Sequence, residues 1–270
     1  MITVTAFRWV PPLAQGLVRD LRVRWALEEA GLPYREKLIG VKDQANAEYR
    51  SLQPFGQVPA FEEGDLRLFE SGAIVLEIAE RSPALLPADT QGRARARAWV
   101  LAALNTLEPP IAHFAGLDFF HANEPWAAQA RPSAEQAACK RLDELAAWLG
   151  DRDYLEDRFT AGDLLMTTVL RILRNTPLVN DRPALRAYQA RCEARPAFRK
   201  ALADQLRPFA EYEAARAARR HSPNISERCA AAPAMAPSPT ASATDPAGRA
   251  RSPHAKTPGA VVARVPSAFT

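Results

Sequence analysis

The sequence has few cysteines and no long apolar run, and each shortage excludes a class of protein. Its three cysteines, Cys139, Cys192 and Cys229, lie far apart, so they predict neither a disulfide framework nor a metal site. No apolar run approaches the roughly 18–20 residues that a transmembrane helix needs. The N-terminal stretch MITVTAFRWVPP lacks the basic start and the apolar stretch of a signal peptide. We therefore expect a cytoplasmic protein with no metal and no membrane partner.

Motifs for several common chemistries are also missing. The chain has no glycine-rich phosphate loop and no nucleophile elbow. It has no C-x-x-C pair near its first strand, which excludes dithiol redox chemistry of the thioredoxin type. Cys139 and Cys192 lie on predicted helices with apolar faces, so we expect buried, inert thiols.

The net charge of +4 comes from the C-terminal end of the chain. From Glu213 onward there are eight Lys or Arg and three Asp or Glu, which leaves 27 basic and 28 acidic residues before that point. The basic balance is therefore a poor reason to expect nucleic-acid binding by the folded part, and we predict no specific nucleic-acid partner.

The segment 213–270 differs in composition from the rest, because Ala, Pro, Ser, Thr and Arg dominate it. Few aromatic residues and little periodicity leave little apolar surface to offset the entropy of ordering, so we expect disorder from about residue 220. The stretch AEYEAARAARRH just before it can extend a last helix. This composition is compatible with a weak electrostatic tether to anionic partners, but it favours an unselected extension that has no role in catalysis.

The first 81 residues alternate between strand and helix patterns. Their order is β-α-β-(α)-β-β-α, in which the strand–helix–strand unit predicts a parallel pair and the hairpin adds antiparallel strands. The predicted strands are 2–7, 34–40, 58–61 and 66–69, the helices are 17–31 and 71–81, and 42–52 is a loose polar connection with one helical turn. Gly31 predicts the end of the first helix.

From about Thr90 the pattern is helical, after a proline-rich linker over 82–91. The long segment RARARAWVLAALNTLEPPIAHFAG is expected to bend or break at Pro109 and Pro110, because proline removes a hydrogen bond inside a helix. The helical region has about 120 residues, enough for a domain of its own.

Prolines also mark predicted helix starts. One helix is expected over 132–150, opening at Pro132 with a capping pattern from Ser133 to Gln136. The most apolar helix is predicted over 160–175. Two further helices are expected to begin at the prolines of PALRAYQARCEARP and PAFRKALADQ.

Residues 53–71, QPFGQVPAFEEGDLRLFES, predict a proline-led hairpin that runs into a helix. Pro59 opens a short strand, where a residue without an N–H is confined to edges, bulges and turns. Gly64 can supply a positive φ in the tight EEGD turn. Glu70 and Ser71 then stand at the start of the helix, so polar groups gather at one end of the hairpin.

Three stretches resemble the glutathione S-transferase family. RWALEEAGLPY (24–34) resembles the family's first helix entering its second strand, and residues 53–81 resemble its glutathione-site hairpin and helix. RFTAGDLLM (158–166) resembles the capping box of its helical domain, in which Thr160 would cap and Asp163 would reciprocate.

The resemblance covers residues 1 to about 210 and implies a fold of the α/β plus all-α class. A thioredoxin-like, glutathione-binding domain over 1–81 would be followed by the linker 82–91, a helical-bundle domain over 92–212 and the tail over 213–270. The family also implies a homodimer, and two-fold pairing is the commonest form of oligomer.

The resemblance further implies how the hairpin holds glutathione. In a thioredoxin-like fold the proline before this strand is cis, so Pro59 would aim the Val58 N–H and C=O at the cysteinyl backbone of the ligand. Glu70 would hold the γ-glutamyl ammonium, and Ser71 would hold its carboxylate at the helix N-terminus. Gln57 would add a further contact. Taken alone, Ser71 would be a plain helix cap and Glu70 a solvated turn acid.

The polar connection before the hairpin supplies candidates for the other end of glutathione. Lys42, and after it Gln44, would meet the glycine carboxylate of the ligand.

The segment after the first strand departs from the family. Glutathione transfer needs the thiol to ionise near neutral pH, and the family usually supplies a Tyr, Ser or Cys here to lower its pKa. FRWVPPLAQGLVRD (7–20) contains none of the three and looks a few residues longer than usual. The Gln15 amide, or backbone N–H groups over 15–17, would then be the hydrogen-bond donors to the thiolate.

Other residues of this segment are further candidates for the catalytic step. Arg8 or Arg19 would lend positive charge to the thiolate, and Trp9 would form a wall of the acceptor pocket. Trp9 is equally compatible with core packing or an interface, and Arg19 with the solvated face of a helix.

Aromatic residues at the start of the helical region are candidates for a second-substrate pocket. In the family this region overhangs the sulfur of glutathione. The candidates are Phe114, Phe119, Phe120 and Trp126. Each of them is also compatible with a core or loop position.

These features predict a glutathione S-transferase-like enzyme that binds glutathione as co-substrate and presents its thiolate to a small hydrophobic electrophile. Glutathione-dependent isomerisation, reductive dehalogenation or peroxide reduction would use the same thiolate. A protein that binds glutathione without catalysis, or a scaffold, is the alternative that the missing Tyr, Ser or Cys favours. The paired charges offered by Glu70 and the helix start at Ser71 argue against a pure scaffold.

Overall fold

A computed structural model describes residues 1–221, which begin with a four-stranded mixed sheet. The strands are β1 (Ile2–Phe7), β2 (Tyr34–Ile39), β3 (Ala60–Glu63) and β4 (Leu66–Phe69), in the spatial order β2-β1-β3-β4. β1 pairs with β2 in parallel, whereas the β1–β3 and β3–β4 pairs are antiparallel. The predicted parallel pair and antiparallel hairpin are therefore confirmed, and Gly64 in the hairpin turn has the positive φ of 57°.

Three helices accompany the sheet: α1 (Asp20–Ala30), α2 (Ala47–Leu52) and α3 (Ser71–Ala79). α1 ends where predicted, because Gly31 takes a left-handed φ of 65° and its N–H bonds back to the helix. Its start was predicted three residues too early, at 17. Gly16, with φ of 76°, and a short 3-10 turn over Pro12–Ala14 keep the preceding residues out of the helix.

The remaining helices are α4 (Thr90–Ala102), α5 (Glu108–Phe120), α6 (Pro125–Leu149), α7 (Ala161–Leu170), α8 (Pro183–Glu193) and α9 (Pro196–His221). α8 and α9 begin at the predicted prolines, and α9 includes the predicted extension AEYEAARAARRH. The expected disorder from about residue 220 and the proposed tether fall almost entirely on residues outside the described part of the chain, as does Cys229.

One proline prediction in the helical region is confirmed and one is wrong. The long segment is interrupted as expected at Pro109 and Pro110: α4 ends at Ala102, a π-helical turn follows over Ala103–Leu107, and both prolines lie in the first turn of α5. Pro132 does not open a helix, because α6 already starts at Pro125. The Ser133 hydroxyl donates to the Ala130 carbonyl, 2.9 Å away, instead of capping.

The capping box at the start of α7 is confirmed. The Thr160 hydroxyl accepts from the Gly162 N–H at 3.2 Å, and the Asp163 carboxylate accepts from the Thr160 N–H at 2.8 Å. The same buried carboxylate accepts from the Leu155 N–H at 2.9 Å and the Tyr188 hydroxyl at 3.0 Å. Asp163 therefore ties the preceding loop and α8 to α7.

The main hydrophobic core runs from the sheet into the helical region, so the two halves share buried side chains. Trp25 of α1, fully buried, packs against Phe159 and Phe198 with ring centroids 5.7 and 4.8 Å away. Residues Met1–Glu213 form one compact unit. The predicted division into domains at 82–91 stays a prediction.

The thiols of the described residues are those of Cys139, half-buried, and Cys192, buried. Burial raises the pKa of Cys192 to about 12, which agrees with an inert thiol. Within residues 1–221 no helix has the length and apolar character needed to cross a membrane. The same residues contain no group of three His, Cys, Asp or Glu side chains placed to hold a metal ion.

Candidate functional site

The sheet topology brings most of the predicted site residues to one end of the sheet. β1 pairs with β3 through Val4 and Phe61, and continuing this antiparallel register places the end of β1 beside residues 58–59. β3 pairs with β4 through Ala60 and Phe69, so the next pair places residue 59 beside residue 70. The loop after β1, the proline turn and the start of α3 therefore meet at one edge.

The proline turn presents free main-chain groups at this edge. The Val58–Pro59 peptide bond is cis. No hydrogen bond within the described chain engages the N–H or C=O of Val58, so both groups are available to an added strand. The Gln57 carbonyl accepts from the Tyr49 hydroxyl at 2.5 Å, which anchors the turn on α2.

Glu70 has an unusual backbone conformation at the start of α3. Its φ of 68° and ψ of 114° make it the one non-glycine residue with positive φ in the described chain. Such a conformation costs about 1–3 kcal/mol and is typical of ligand-binding sites. The Glu70 side chain is exposed, and the Glu70 carbonyl still accepts the first helical bond, from the Ile74 N–H at 3.0 Å.

Ser71, the first residue of α3, is 5% exposed. Its hydroxyl accepts a hydrogen bond from the Arg22 guanidinium at 3.2 Å. The first N–H groups of α3 have no partner within the helix, and the helix dipole adds positive potential there. The helix start therefore combines N–H donors with a buried guanidinium, which together suit a carboxylate.

A buried charge cluster lies behind Ser71. Arg22, 4% exposed, contacts Glu108 at 3.0 Å and donates to the Thr168 hydroxyl at 3.1 Å. Arg19 contacts the same Glu108 oxygen at 3.0 Å. Burial alone would raise the pKa of Glu108, but the two guanidinium groups outweigh it and hold that pKa below its usual range. Burial lowers the pKa of Arg22, although Glu108 and Glu70 oppose this.

Sequence reasoning missed Arg22 and Glu108. The signal for Arg22 was its position on the buried face of α1, one turn before Ala26 and close to Leu21 and Trp25, where a charge needs a partner. Glu108 stands between an apolar segment and two prolines, and nothing local identifies it as that partner.

The loop after β1 is held by the helical region. The Gln15 side-chain amide donates to the Val10 carbonyl at 3.2 Å, which leaves its second N–H for another acceptor. The Arg174 guanidinium donates to the carbonyls of Gln15 at 2.8 Å and Leu13 at 2.9 Å. A second guanidinium, that of Arg171, lies 3.5 Å from the Gly16 carbonyl.

The other candidates of this loop have different surroundings. Arg8 is exposed, and its guanidinium lies 3.4 Å from the Leu38 carbonyl. Trp9 is half-buried against Tyr212, with ring centroids 5.7 Å apart, and its buried indole N–H has no partner in the described residues. Arg19 shares Glu108 with Arg22, so one carboxylate is paired with two guanidinium groups.

Gln44 has a structural position, whereas Lys42 is exposed. The Gln44 amide donates to the Gly56 carbonyl at 2.5 Å, and the Gln44 carbonyl accepts from Arg50 at 3.0 Å. These bonds shape the segment just before the proline turn. Gly56 has a φ of 67°, and a Cβ there would lie 2.7 Å from the Gln44 carbonyl oxygen.

The structure separates the four aromatic candidates for the second-substrate pocket. Phe114 is 1% exposed, within the core and under the Arg131 guanidinium, 4.7 Å from its ring centroid. Phe119 and Phe120 are half-buried at the end of α5. Trp126 is 48% exposed and lies 4.8 Å from the ring of His121. Phe119, Phe120 and Trp126 lie next to the turn between α5 and α6, whereas Phe114 is part of the hydrophobic core.

Comparisons with known proteins agree with this geometry. A family model described as the glutathione S-transferase N-terminal domain matches residues 14–80. A glutathione S-transferase of Hyoscyamus muticus is 32% identical over 197 residues, which are 67% of this chain and 92% of that protein. Glutathione S-transferase 3 of Zea mays is 32% identical over 206 residues, 71% of this chain and 90% of that protein.

Solved structures give the same result at the level of the fold. Glutathione transferase F7 from Populus trichocarpa is 26% identical with a TM-score of 0.66, and the match covers 76% of this chain and 99% of that one. A glutathione transferase from Burkholderia graminis, solved with two glutathione molecules bound per subunit, is also 26% identical with a TM-score of 0.66, over 74% and 87% of the two chains. The thioredoxin-like sheet, the helical remainder and these relatives together place the chain in the glutathione S-transferase family, to which it belongs.

Proposed function

We propose that the protein binds glutathione at the edge formed by the proline turn and the start of α3. The free N–H and C=O of Val58 would pair with the cysteinyl backbone of the tripeptide, as one strand pairs with another. Gln57 and Pro59 shape this turn, and Lys42 would meet the glycine carboxylate. The observation that carries the proposal is the strained Glu70 directly before the buried Ser71.

Charge balance supports the same ligand. Arg19 and Arg22 both contact Glu108, so two guanidinium groups share one carboxylate behind Ser71, and the exposed Glu70 adds a second carboxylate at the start of α3. The γ-glutamyl end of glutathione carries one ammonium and one carboxylate, and it would leave this balance unchanged. Glu70 would take the ammonium, and Ser71 with the first N–H groups of α3 would take the carboxylate.

The reaction proposed is transfer of glutathione to a small hydrophobic electrophile. The thiol loses its proton and the thiolate sulfur forms a bond to an electrophilic carbon. Either a leaving group departs from that carbon with its bonding pair, or a π bond at that carbon breaks and its electron pair takes up a proton at the neighbouring atom. The protein aligns the two reactants and stabilises the thiolate, with the loop after β1 as the donor segment. Removal of reactive electrophiles in the cytoplasm, a detoxifying role, suits this chemistry.

An ultraviolet titration of bound glutathione tests the proposal. The absorbance of the thiolate, followed against pH, reports both that glutathione binds and how far the pKa of its thiol is lowered. We expect saturable binding and a thiol pKa well below that of free glutathione. Saturable binding with an unshifted pKa would remove the transferase mechanism and leave a glutathione-binding or scaffold protein. Absence of binding would contradict both the transferase mechanism and the proposed glutathione-binding site.

Neutral replacements at Glu70 and Ser71 test the assigned contacts. Glu70→Gln and Ser71→Ala are each expected to weaken glutathione binding by about 10- to 100-fold, because a hydrogen bond to a charged group contributes about 1.5–3 kcal/mol. Titration calorimetry measures the change. Asp65→Asn, on the exposed turn of the same hairpin, and Ser51→Ala, exposed on α2, are matched controls that should bind normally. Equal affinity in all four variants would contradict the assignment.

A homodimer is also part of the proposal, and the exposed apolar side chains of the hairpin region support it. Phe55 is 63% exposed and contacts Phe69, 38% exposed, edge to face with ring centroids 6.1 Å apart. A second copy of the chain would cover this surface.

We expect Phe55→Asp to convert the dimer to monomer, because it places a charge in the covered apolar surface. Size-exclusion chromatography with light scattering reads the mass. Trp126→Asp changes an aromatic residue of similar exposure elsewhere and should leave the dimer intact. A wild-type protein that is monomeric at micromolar concentration would refute the proposed dimer.

A further inference from the structure

The residues Ala14–Leu17 form a turn that fixes the direction of one peptide group. Gln15 has φ of −62° and ψ of 130°, and Gly16 has φ of 76°. The Leu17 N–H donates to the Ala14 carbonyl at 3.0 Å, which closes the turn. These are the features of a type II turn, in which the residue after the central peptide needs a positive φ and is therefore glycine. The central peptide joins Gln15 to Gly16.

Arg174 holds this peptide from its carbonyl side, since its guanidinium donates to the Gln15 carbonyl at 2.8 Å and to the Leu13 carbonyl at 2.9 Å. In a planar trans peptide the C=O and the N–H point in opposite directions. The Gly16 N–H therefore points away from Arg174. Within residues 1–221 no hydrogen bond uses this N–H, whereas the N–H groups of Ala14, Gln15 and Leu17 all donate to carbonyls of the same loop.

The charge around this peptide favours an anion at the free N–H. Arg171 is paired with Glu193 at 2.9 Å, and the charge of Glu193 also acts on Arg174, but in the described part of the chain Arg174 forms no ion pair of its own. A cation bound to a carbonyl also polarises the peptide, which strengthens the N–H of the same group as a donor. Tyr, Ser and Cys are absent from the segment 7–20, so a backbone donor would have no competing side-chain hydroxyl or thiol there.

We infer that the Gly16 N–H is the hydrogen-bond donor to the glutathione thiolate and that Arg174 is the positioning residue that aims and polarises it. The inference rests on the proposed glutathione transfer and identifies the group that replaces the family's side chain. The thiol proton leaves to solvent, and the sulfur lone pair then forms the new bond to the electrophilic carbon. Gly16 touches the reacting sulfur, whereas Arg174 acts through the peptide.

The close surroundings of Gly16 explain why the position needs glycine. A Cβ there would lie 3.2 Å from a Leu202 methyl carbon and 3.4 Å from the guanidinium nitrogens of Arg171 and Arg174. A side chain would therefore crowd the two arginines in addition to opposing the positive φ. Glycine keeps the guanidinium groups against the carbonyls of the loop.

Arg174→Ala tests the inference on the intact protein, with Arg186→Ala, an exposed arginine on α8, as the matched control. Arg174→Ala is expected to raise the pKa of the thiol of bound glutathione by about one unit or more, whereas Arg186→Ala should leave that pKa unchanged. Arg174→Ala should also lower kcat/KM for a chlorodinitrobenzene about 10- to 100-fold at neutral pH, in line with loss of one aligned donor. Affinity for S-methylglutathione, which has no thiol, should not change. Added methylguanidinium should restore part of the pKa shift.

The outcomes separate this inference from the proposed function. If the wild-type protein does not lower the thiol pKa, the transferase mechanism itself fails. If the wild type lowers it and Arg174→Ala lowers it equally, the role of Arg174 is overturned while the transferase mechanism stands. Weaker binding of S-methylglutathione by Arg174→Ala would assign the arginine to the binding site as a whole and also overturn the inference.

A measurement on the wild-type protein keeps the test independent of folding of the variant. The Gly16 amide proton resonance is expected to move downfield when glutathione is bound and to follow the ionisation of its thiol with pH. With S-methylglutathione bound it should show no such titration. A Gly16 amide proton shift that does not change as the bound thiol ionises would overturn the assignment of the donor.

Discussion

Glu108→Ala is expected to lower the free energy of unfolding by about 3–5 kcal/mol, because removing one partner of a buried ion pair leaves the other charge uncompensated. Glu108 contacts both Arg22 and Arg19 at 3.0 Å, and Arg22 is almost fully buried. Denaturant unfolding followed by circular dichroism measures the change. Glu124→Ala, an exposed acid just before α6, is the control and should stay within about 0.5 kcal/mol of the wild type.

The same substitution is expected to weaken glutathione binding, since Arg22 donates to the Ser71 hydroxyl. The paired replacement of Arg22 and Glu108 by methionine should cost less stability than Glu108→Ala, because no buried charge is left alone. Equal stability of Glu108→Ala and the wild type would show that the arginines reach water or other carboxylates when Glu108 is absent.

The acid sensitivity of the protein should depend on Glu108. Arg22 and Arg19 hold the pKa of Glu108 below its usual range against the opposing effect of burial, so the folded state favours the carboxylate. Its stabilisation is therefore complete above the unfolded-state pKa, about 4.3, and is lost as the pH falls through the lower folded-state value. Glu108→Gln should lack this part of the pH dependence, whereas Glu124→Gln should retain it.

Asp163→Ala is expected to destabilise the protein by about 3 kcal/mol or more, the combined effect of a lost helix cap and of buried donors left without an acceptor. The donors are the N–H groups of Leu155 and Thr160 and the hydroxyl of Tyr188. The midpoint of urea unfolding measures the loss. Asp157→Ala, an exposed acid in the preceding loop, should leave that midpoint in place.

Thr160→Val provides an intermediate case for the same capping box. It removes the hydroxyl that accepts from the Gly162 N–H and donates to Asp163 at 3.1 Å, but it leaves the bonds that Asp163 accepts from the N–H groups of Leu155 and Thr160 and from the Tyr188 hydroxyl. A loss of about 1 kcal/mol is expected. A larger loss for Thr160→Val than for Asp163→Ala would contradict the central position of the carboxylate.

Local patterns predicted the parts of the fold that depend on neighbouring residues. The alternation in 2–7, the glycine at 31 and the EEGD turn each correspond to a conformation set by a few residues, and the structure has all three. The capping box at Thr160 and Asp163 has the same local character. Pro132 was misread because a local rule for helix starts cannot detect that an earlier proline, Pro125, already opens the helix.

The parts that sequence reasoning missed depend on distant contacts. Arg22 and Glu108 are 86 positions apart by their numbering, and only the tertiary fold brings them together. Phe114 has the same sequence character as Phe119 and Phe120, yet it alone is almost fully buried. The turn at Gly16 was read as the start of a helix, since neither its hydrogen bond nor its arginine partner is visible locally.

Arg171 and Arg174 hold the loop after β1 through hydrogen bonds to main-chain carbonyls. The bonded residues are separated by 155 to 161 positions in the sequence. During synthesis on a ribosome, the first strands and helices emerge long before either arginine has been translated. The loop then lacks the contacts that fix its turn, and it acquires them only when α7 and the turn after it have left the exit tunnel. Under the proposed mechanism, the loop after β1 can therefore stabilise a thiolate only late in synthesis, after the residues of the proline turn and of the start of α3 have already been made.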